Sequence, residues 1–143
     1  MISSHGGHLH ELTKATDHVR GKKYFVTHKT PHTQQLLEDK TKYFVIDPHL
    51  SKWKYLLNTF QSLRHILLER PDVVISTGAG IVIPSMLICK IILGSKIIYI
   101  ESAACVEKAS KTGSFMYKYA DLFLVQWPDM LHHYKKAVYV GLQ

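Results

Sequence analysis

Strand-like and helix-like segments alternate along this chain from Tyr24 onward, and this alternation restricts the possible folds more than any other feature. Runs of β-branched and aromatic residues are separated by stretches with helical spacing, a pattern typical of βαβ units. The sequence therefore predicts an α/β fold, in which a Rossmann-like, mainly parallel sheet is flanked by helices. The predicted strands cover residues 23–27, 42–46, 72–76, 96–100, 122–125 and 137–140.

The clearest helical pattern lies between the second and third of these strands. Its apolar residues recur at steps of three and four, as in an amphipathic helix, and polar residues fill the other side. Ser51 is a suitable cap and Pro71 a suitable stop. Two more helices are predicted over residues 9–19 and 82–93, and the second is apolar nearly all round, so we expect it to be buried and to end near Gly94. The apolar positions of the helix between the second and third strands are Trp53, Leu56, Leu57, Phe60, Leu63 and Leu67.

The chain length of 143 residues predicts one domain over residues 1–143, since a chain of this size has one core and no room for a second. Only two or three residues precede the first glycine-rich turn, so the first strand is expected to be short or missing. Cys89 and Cys105 match neither a disulfide framework nor a zinc pattern, and no metal site or cofactor is predicted. The apolar run over residues 81–93 is too short to span a membrane, which needs about 20 residues.

The charge balance favours anionic partners. Eighteen Lys and Arg residues against eleven Asp and Glu give a formal net charge of +7, which suits phosphates, anionic lipid head groups or nucleic acid. Nucleic acid is disfavoured, because the basic residues are spread along the chain without a recognisable motif. Eleven of the basic residues but only six acidic ones lie in residues 1–70, which supports contact with an anionic membrane surface.

Two glycine-rich segments, residues 4–8 and 76–80, each join a predicted strand to a predicted helix. Glycine lets the backbone approach a ligand, and the free amides of a helix start favour an anion such as a diphosphate. In a parallel sheet both turns would lie at the carboxyl ends of strands, where ligands bind. The alternative is that these glycines only make tight turns.

Three side chains are candidates for chemistry at this edge of the sheet. His8, with His5 beside it, stands at a helix start, where a neutral imidazole can accept a proton from a bound hydroxyl. Glu101 follows a strand directly, so its carboxylate is expected to reach the crevice and bind a sugar hydroxyl, or else to cap the next segment. Lys108 and Lys111 flank a loop that fits either a phosphate site or a solvated surface.

Several motifs resemble one family, the membrane-associated subunit of the dolichol-linked UDP-N-acetylglucosamine transferase and its bacterial counterparts in capsule and exopolysaccharide synthesis. The resemblance covers nearly the whole chain. It is carried by S-H-G-G-H-L-x-E-L at the start, R-P-D-V-V-I-S-T-G-A-G-I-x-I-P, E-S-x-x-x-V-E from Glu101, V-Q-W-P ending at Pro128, and A-V-Y-V-G ending at Gly141.

This resemblance implies the amino-terminal, acceptor-binding half of a GT-B glycosyltransferase, whose donor-binding half is a separate polypeptide that binds the UDP-sugar. The chain is then expected to bind a lipid-diphosphate-linked sugar in a heterodimer, peripherally at the cytoplasmic face of the plasma membrane. The alternative is a non-catalytic subunit that recruits the true transferase to the membrane. Cys105 stands where the family commonly carries Arg, which removes a phosphate contact.

The resemblance also assigns roles to individual residues. His8 corresponds by motif to the histidine proposed as a base in the two-domain GT-B glycosyltransferases that this family resembles. From the position of Glu101 directly after a strand, Glu101 and Ser102 are expected near the acceptor sugar. We place the partner interface in the tail of the chain, at Trp127, Leu131, Tyr134 and Val138. The predicted diphosphate site consists of Ser4, His5, Gly6, Gly7, Thr77, Gly78 and Gly80.

Overall fold

A computed structural model describes residues 1–48 and 51–142 of the chain. His49, Leu50 and Gln143, the last residue of the predicted domain, lie outside the described residues. Strands and helices alternate as predicted. The strands are β1 (Ile2–Ser3), β2 (Phe25–Thr27), β3 (Lys42–Phe44), β4 (Val73–Gly78), β5 (Lys96–Ile100), β6 (Leu122–Val125) and β7 (Val138–Tyr139). The α-helices are α1 (Gly7–Ala15), α2 (Pro31–Leu36), α3 (Lys52–Glu69), α4 (Ile83–Ile88) and α5 (Lys111–Met116).

All seven strands pair in parallel in one sheet, with the order β3-β2-β1-β4-β5-β6-β7. The predicted fold class is confirmed, and β1 has the short length that the sequence allowed. The first predicted helix ends four residues early, at Ala15, because the residues that follow are the weak helix formers Thr16, Asp17 and His18. Helix α2 was not predicted, although Thr30 and Thr33 form a capping box at its start.

Helix α3 packs on the sheet with its polar side. An amphipathic helix ordinarily turns its apolar stripe to the core, yet the buried residues of α3 are Asn58, Ser62 and Ile66. The Asn58 amide donates to the carbonyl of Ile46 at 2.7 Å, and Ser62 donates to Asn58 at 3.1 Å. These bonds satisfy the buried polar groups. Of the apolar stripe of α3, Leu63 packs against the core, and the other members face outward.

The second glycine-rich turn leads into a continuous helical stretch that changes its winding twice. A 3₁₀ turn at Gly80–Val82 precedes α4, and a π-helical turn at Cys89–Leu93 follows it. Gly94 ends the stretch in a left-handed conformation, as predicted. The expectation of complete burial is wrong for the last turn, where Ile91 is 73% and Ile92 57% exposed.

The main core lies on the sheet face that carries α3, α4 and α5, and it includes Val74, Ile97 and Phe123. A smaller core on the opposite face joins α1 to β2 and β4 through residues such as Leu9, Leu12 and Phe25. Helices on both faces of a parallel sheet leave its carboxyl edge free for ligands. This edge contains the two glycine-rich turns.

Candidate functional site

The two glycine-rich turns meet because their strands are neighbours in the sheet. Ser3 of β1 pairs with Gly78 of β4, so the turn after β1 lies beside the turn after β4. The Thr77 hydroxyl donates a hydrogen bond of 2.6 Å to the carbonyl of His8, across 69 positions of sequence. The sheet order therefore converts two distant motifs into one rim at its carboxyl edge.

A cavity of about 240 Å³ opens at this rim. It takes residues from the start of α1, from the turn after β4 and from the long segment between β5 and α5. Its volume is below the roughly 300–1,000 Å³ typical of sites that enclose a whole small molecule. It therefore suits one part of a larger ligand, such as a phosphate-bearing group. The lining residues are His8, Ala79, Tyr99, Ser102, Ala104, Cys105, Ser110, Lys111 and Thr112.

His8 lies in the first turn of α1 and contributes to the cavity wall. Its Nδ1 atom is buried and has no hydrogen-bond partner among residues 1–48 and 51–142. Gly6 caps α1 without a side-chain hydrogen bond, and the first turn carries no acidic residue. The amides of that turn and the positive end of the helix dipole thus favour an anion beside an imidazole that can exchange a proton.

The turn after β4 offers fewer amides than the sequence predicted. The Gly78 amide already donates to the Ser76 hydroxyl at 3.1 Å, so it does not serve a diphosphate, contrary to our prediction. Gly78 has a φ of 104°, and a Cβ there would lie 2.5 Å from the Tyr99 hydroxyl. Glycine is required at this position for backbone conformation and space.

The other predicted diphosphate ligands do not line this cavity. Ser4 is buried and donates to the carbonyl of His5. His5 is exposed, and its ring meets the ring of His28 edge-on at 4.2 Å. The structure thus brings His8 and Ser102 to the cavity wall, which does not include Ser4, His5, Gly6, Gly7, Thr77 or Gly80.

Glu101 does not reach the crevice, so the expectation that it binds the acceptor sugar is wrong. Its side chain is 1% exposed, and one carboxylate oxygen accepts a bond of 2.6 Å from the Tyr134 hydroxyl. The Ser110 hydroxyl donates to the other at 2.8 Å, and Gly113 packs directly against the carboxylate. A buried carboxylate needs such donors, and here they fix the segment that forms one cavity wall.

The segment between β5 and α5 also supplies a cation and a thiol. Lys111 lines the cavity beside Thr112, whereas Lys108 lies in a separate surface depression. Burial, with the nearby Glu101 charge, raises the pKa of the Cys105 thiol to about 11. At neutral pH the cavity wall therefore carries a neutral thiol at this position.

Sequence reasoning missed Glu11, which connects α1 to this segment. Its Oε1 atom accepts hydrogen bonds from the Ser102 hydroxyl at 3.3 Å and from the Ala103 amide at 3.2 Å. Its Oε2 atom is buried without a partner among the described residues. The available signal was the spacing, because Glu11 lies three residues after His8 and therefore on the same side of α1.

The four tail residues that we predicted at a partner interface differ in how far they are buried. Tyr134 is 2% exposed and part of the main core, which excludes it from an interface. Leu131 is half-buried against that core, and Trp127 donates from Nε1 to the carbonyl of Ala103 at 2.7 Å. Val138 is 48% exposed and thus remains accessible.

The described residues were also searched for a membrane-spanning helix and for a metal site. None of its described helices has both the length and the apolar character needed to cross a membrane. In the same residues, no three His, Cys, Asp or Glu side chains are grouped closely enough to hold a metal ion.

Comparison with known proteins finds similarity to proteins of oligosaccharide biosynthesis and to subunits of a sugar transferase. Residues 45–143 match the family described as "Oligosaccharide biosynthesis protein Alg14 like". The chain is 40% identical over 79 residues to the UDP-N-acetylglucosamine transferase subunit alg14 of Schizosaccharomyces pombe, covering 50% of this chain and 36% of that protein. It is 38% identical over 77 residues to the human subunit ALG14, with the same shares covered.

Among solved structures, that of MurG from Acinetobacter baumannii superposes with a TM-score of 0.70 at 18% sequence identity, covering 90% of this chain and 41% of that chain. This likeness shows a shared fold and supports the predicted GT-B type of sheet. The matched regions span little more than a third of the curated relatives named above.

Proposed function

Because this chain belongs to the family of Alg14-like oligosaccharide biosynthesis proteins, we propose that it binds the lipid-diphosphate-sugar acceptor of a two-component glycosyltransferase. A separate chain binds the UDP-sugar donor. The relatives named in the comparison are transferase subunits, which supports a function shared between two chains.

One observation carries this proposal: the cavity wall includes both His8, which lies in the first turn of α1, and Lys111. Helix-start amides and a lysine attract the diphosphate of the acceptor. The imidazole lies in the same cavity, so a hydroxyl of the attached sugar is within the reach of a base. Anion binding and proton transfer therefore belong to one site.

In the proposed reaction, the acceptor hydroxyl oxygen attacks the anomeric carbon of the donor sugar and inverts its configuration. The bond from that carbon to UDP breaks, and UDP leaves with the bonding electrons. His8 takes the proton of the hydroxyl. Glu11 and Glu101 act as positioning residues, since their hydrogen bonds hold the segment that carries Ser102 and Lys111.

Contact with the membrane is the second part of the proposal, and the outward stripe of α3 supports it. Trp53 is 67%, Phe60 63% and Leu68 68% exposed, and Lys52 and Lys54 begin the same helix. Large apolar side chains bordered by lysines are typical of helices that lie on an anionic bilayer. We propose that the chain attaches peripherally at the cytoplasmic face of the plasma membrane through this helix.

The test is a transfer assay with the chain reconstituted with its donor-binding partner, a UDP-sugar and a lipid-diphosphate-sugar acceptor. We expect His8→Ala to lower turnover about 100-fold or more, the usual contribution of a general base. His10→Ala is the matched control, because His10 is exposed on the same helix outside the cavity wall. Unchanged turnover in His8→Ala, with activity still dependent on this chain, would favour the non-catalytic recruiting role instead.

A further inference from the structure

Two buried polar atoms on adjacent turns of α1 have no hydrogen-bond partner among residues 1–48 and 51–142. They are Nδ1 of His8 and Oε2 of Glu11. A buried polar atom without a partner costs free energy, so folded proteins leave few of them. An imidazole nitrogen that carries a proton is a donor, and an ionised carboxylate oxygen only accepts. Each of the two atoms is therefore a suitable partner for the other.

Helix α1 places both side chains on one side. Residues three apart in a helix are neighbours, and a long side chain leans toward the amino end, so Glu11 extends back over the turn that carries His8. The Oε1 atom of Glu11 is held by the Ser102 hydroxyl at 3.3 Å and by the Ala103 amide at 3.2 Å. Because Ser102 lines the cavity together with His8, these bonds hold the carboxylate next to the cavity wall.

The surroundings of His8 make a nearby negative charge valuable. A base becomes positively charged when it takes a proton, and that charge is disfavoured at the amino end of a helix and beside a lysine. His8 has both neighbours, since it lies in the first turn of α1 and Lys111 lines the same cavity. A carboxylate within reach of the ring offsets both effects.

Two carboxylates lie near the cavity, and the hydrogen bonds of Glu101 are already made. Both of its oxygens accept from the Ser110 hydroxyl, at 2.8 and 3.1 Å, and one also accepts from Tyr134. Burial, and then the charges of Glu101 and Glu11, raise the pKa of the Cys105 thiol in the cavity wall. The charge of Glu11 is thus felt at the cavity, and its Oε2 atom is the carboxylate oxygen left for His8.

We propose that Glu11 keeps the proton of the neutral His8 ring on Nδ1, so that Nε2 is the atom that accepts the proton of the acceptor hydroxyl. This inference rests on the proposed function, in which His8 is the base. A buried Nδ1 cannot meet a ligand in the cavity, and in a neutral imidazole one nitrogen donates while the other accepts. Nδ1–H donates to Oε2 of Glu11 once the ring turns toward it, since hydrogen bonds of catalytic groups often tighten when substrate binds.

Glu11 is a positioning residue in this reaction and stays ionised throughout. The proton of the acceptor hydroxyl moves to Nε2, and the ring becomes positively charged. The carboxylate stabilises that charge through the Nδ1–H group. The proton on Nε2 then passes to solvent, which returns His8 to the neutral form with its remaining proton on Nδ1.

The experiment determines which nitrogen carries the proton. The full chain is isotope-labelled in its histidine rings, and proton–nitrogen correlation spectra are recorded at a pH where the imidazole is neutral. His8→Ala identifies the signals of His8 among the ten histidines. We expect the proton on Nδ1. A proton on Nε2 of the unchanged chain would overturn the inference, and this result does not depend on the folding of any variant at Glu11.

Glu11→Gln tests the role of the carboxylate. The amide oxygen can still accept from Ser102 and Ala103, and the amide nitrogen then presents a donor to Nδ1. We expect the proton to move to Nε2, and turnover of the reconstituted pair to fall about 100-fold with little change in the KM of the acceptor, as for loss of a general base. Glu107→Gln is the control and should change neither, because it removes the same charge from an exposed position between β5 and α5.

Ser102→Ala separates this role from a purely structural one. It removes one of the bonds between Glu11 and the neighbouring segment and should leave the proton on Nδ1. If Glu11→Gln loses turnover while the proton stays on Nδ1, Glu11 acts only through that segment and the inference is wrong.

The spectra require no donor, acceptor or partner chain, so they are independent of the transfer assay. A proton that moves as expected in Glu11→Gln, together with full turnover of His8→Ala, would count against the proposed function. It would leave the effect of Glu11 on the ring of His8 established.

Discussion

The hydroxyl of Thr77 donates a hydrogen bond of 2.6 Å to the carbonyl of His8. Thr77 is the last residue but one of the central strand β4, and His8 lies in the first turn of α1, so this bond ties the start of the helix that carries the proposed base to the sheet. Thr77 is buried, which means that water cannot replace it as a partner.

Thr77→Val tests this connection. The variant keeps the shape of the side chain but removes the hydroxyl donor that reaches this carbonyl from β4, which costs about 1 kcal/mol of unfolding free energy. Urea unfolding measures that loss, and the transfer assay should show a lower turnover because His8 moves. Thr13→Val is the control, since Thr13 makes an exposed hydrogen bond to His10 on the same helix; an equal effect of both variants would contradict a specific role for Thr77.

Gly113→Ala should be among the most destabilising single-methyl changes in this chain. An added Cβ would collide with the Glu101 carboxylate and lie 2.8 Å from the hydroxyls of Ser110 and Tyr134. Disrupting a buried carboxylate network costs about 3 kcal/mol or more. Thermal unfolding measures this, with Gly7→Ala as the matched control because its Cβ would meet nothing within 4 Å. If Gly113→Ala loses less stability than Gly7→Ala, the hydrogen-bond network of Glu101 is not packed around Gly113.

The outward stripe of α3 predicts how the chain binds to vesicles. Trp53→Asp/Phe60→Asp should leave stability nearly unchanged, because both side chains are more than 60% exposed. The same change should remove flotation with vesicles that contain anionic lipid, since it replaces two interfacial anchors with charges that the bilayer repels. Val138→Asp, on the other sheet face, should float like the unchanged chain. Flotation of the α3 variant would exclude this helix as the attachment site.

Asp121 gives the chain an acid-dependent contribution to stability. Its hydrogen bond with Lys90, and a second from the Ile97 amide, lower the pKa of the carboxyl from 3.8 to about 2. A carboxyl whose pKa is lower in the folded state stabilises the fold at any pH above its pKa in the unfolded chain. This contribution is lost as the pH falls through the pKa of the folded state. Asp121→Asn should therefore be less stable at pH 7, and the difference should close between about pH 4 and pH 2. A constant difference in urea midpoints across that range would contradict this assignment.

The substitution Cys105→Arg tests how the neutral thiol in the cavity wall affects the affinity for a diphosphate. A guanidinium there adds a charge-assisted contact to a diphosphate, typically about 1.5–3 kcal/mol or roughly tenfold or more in affinity. Isothermal titration with a short-chain lipid diphosphate measures the change. Val106→Arg is the control, because Val106 is the exposed neighbour outside this cavity. Equal gains in both variants would indicate a general charge effect.

The sequence predicted the alternation of strands and helices, the parallel sheet, the helix limits near Ser51 and Gly94, and the two turns that meet at the carboxyl edge. These features depend on local periodicity, capping residues and glycine, which act within a few residues of one another. The same local signals identified His8 as a candidate before any fold was known.

Only the tertiary structure decided which side of each element is buried. The stripe of Trp53 and Phe60 suggested a core face, yet Asn58 and Ser62 are buried instead, because partners on distant segments satisfy their polar groups. For the same reason Glu101 belongs to the core and Glu11 to the site: the atoms that bind them come from residues far away in sequence. Local pattern sets the type of each element, whereas long-range contacts determine its orientation and therefore which residues reach a ligand.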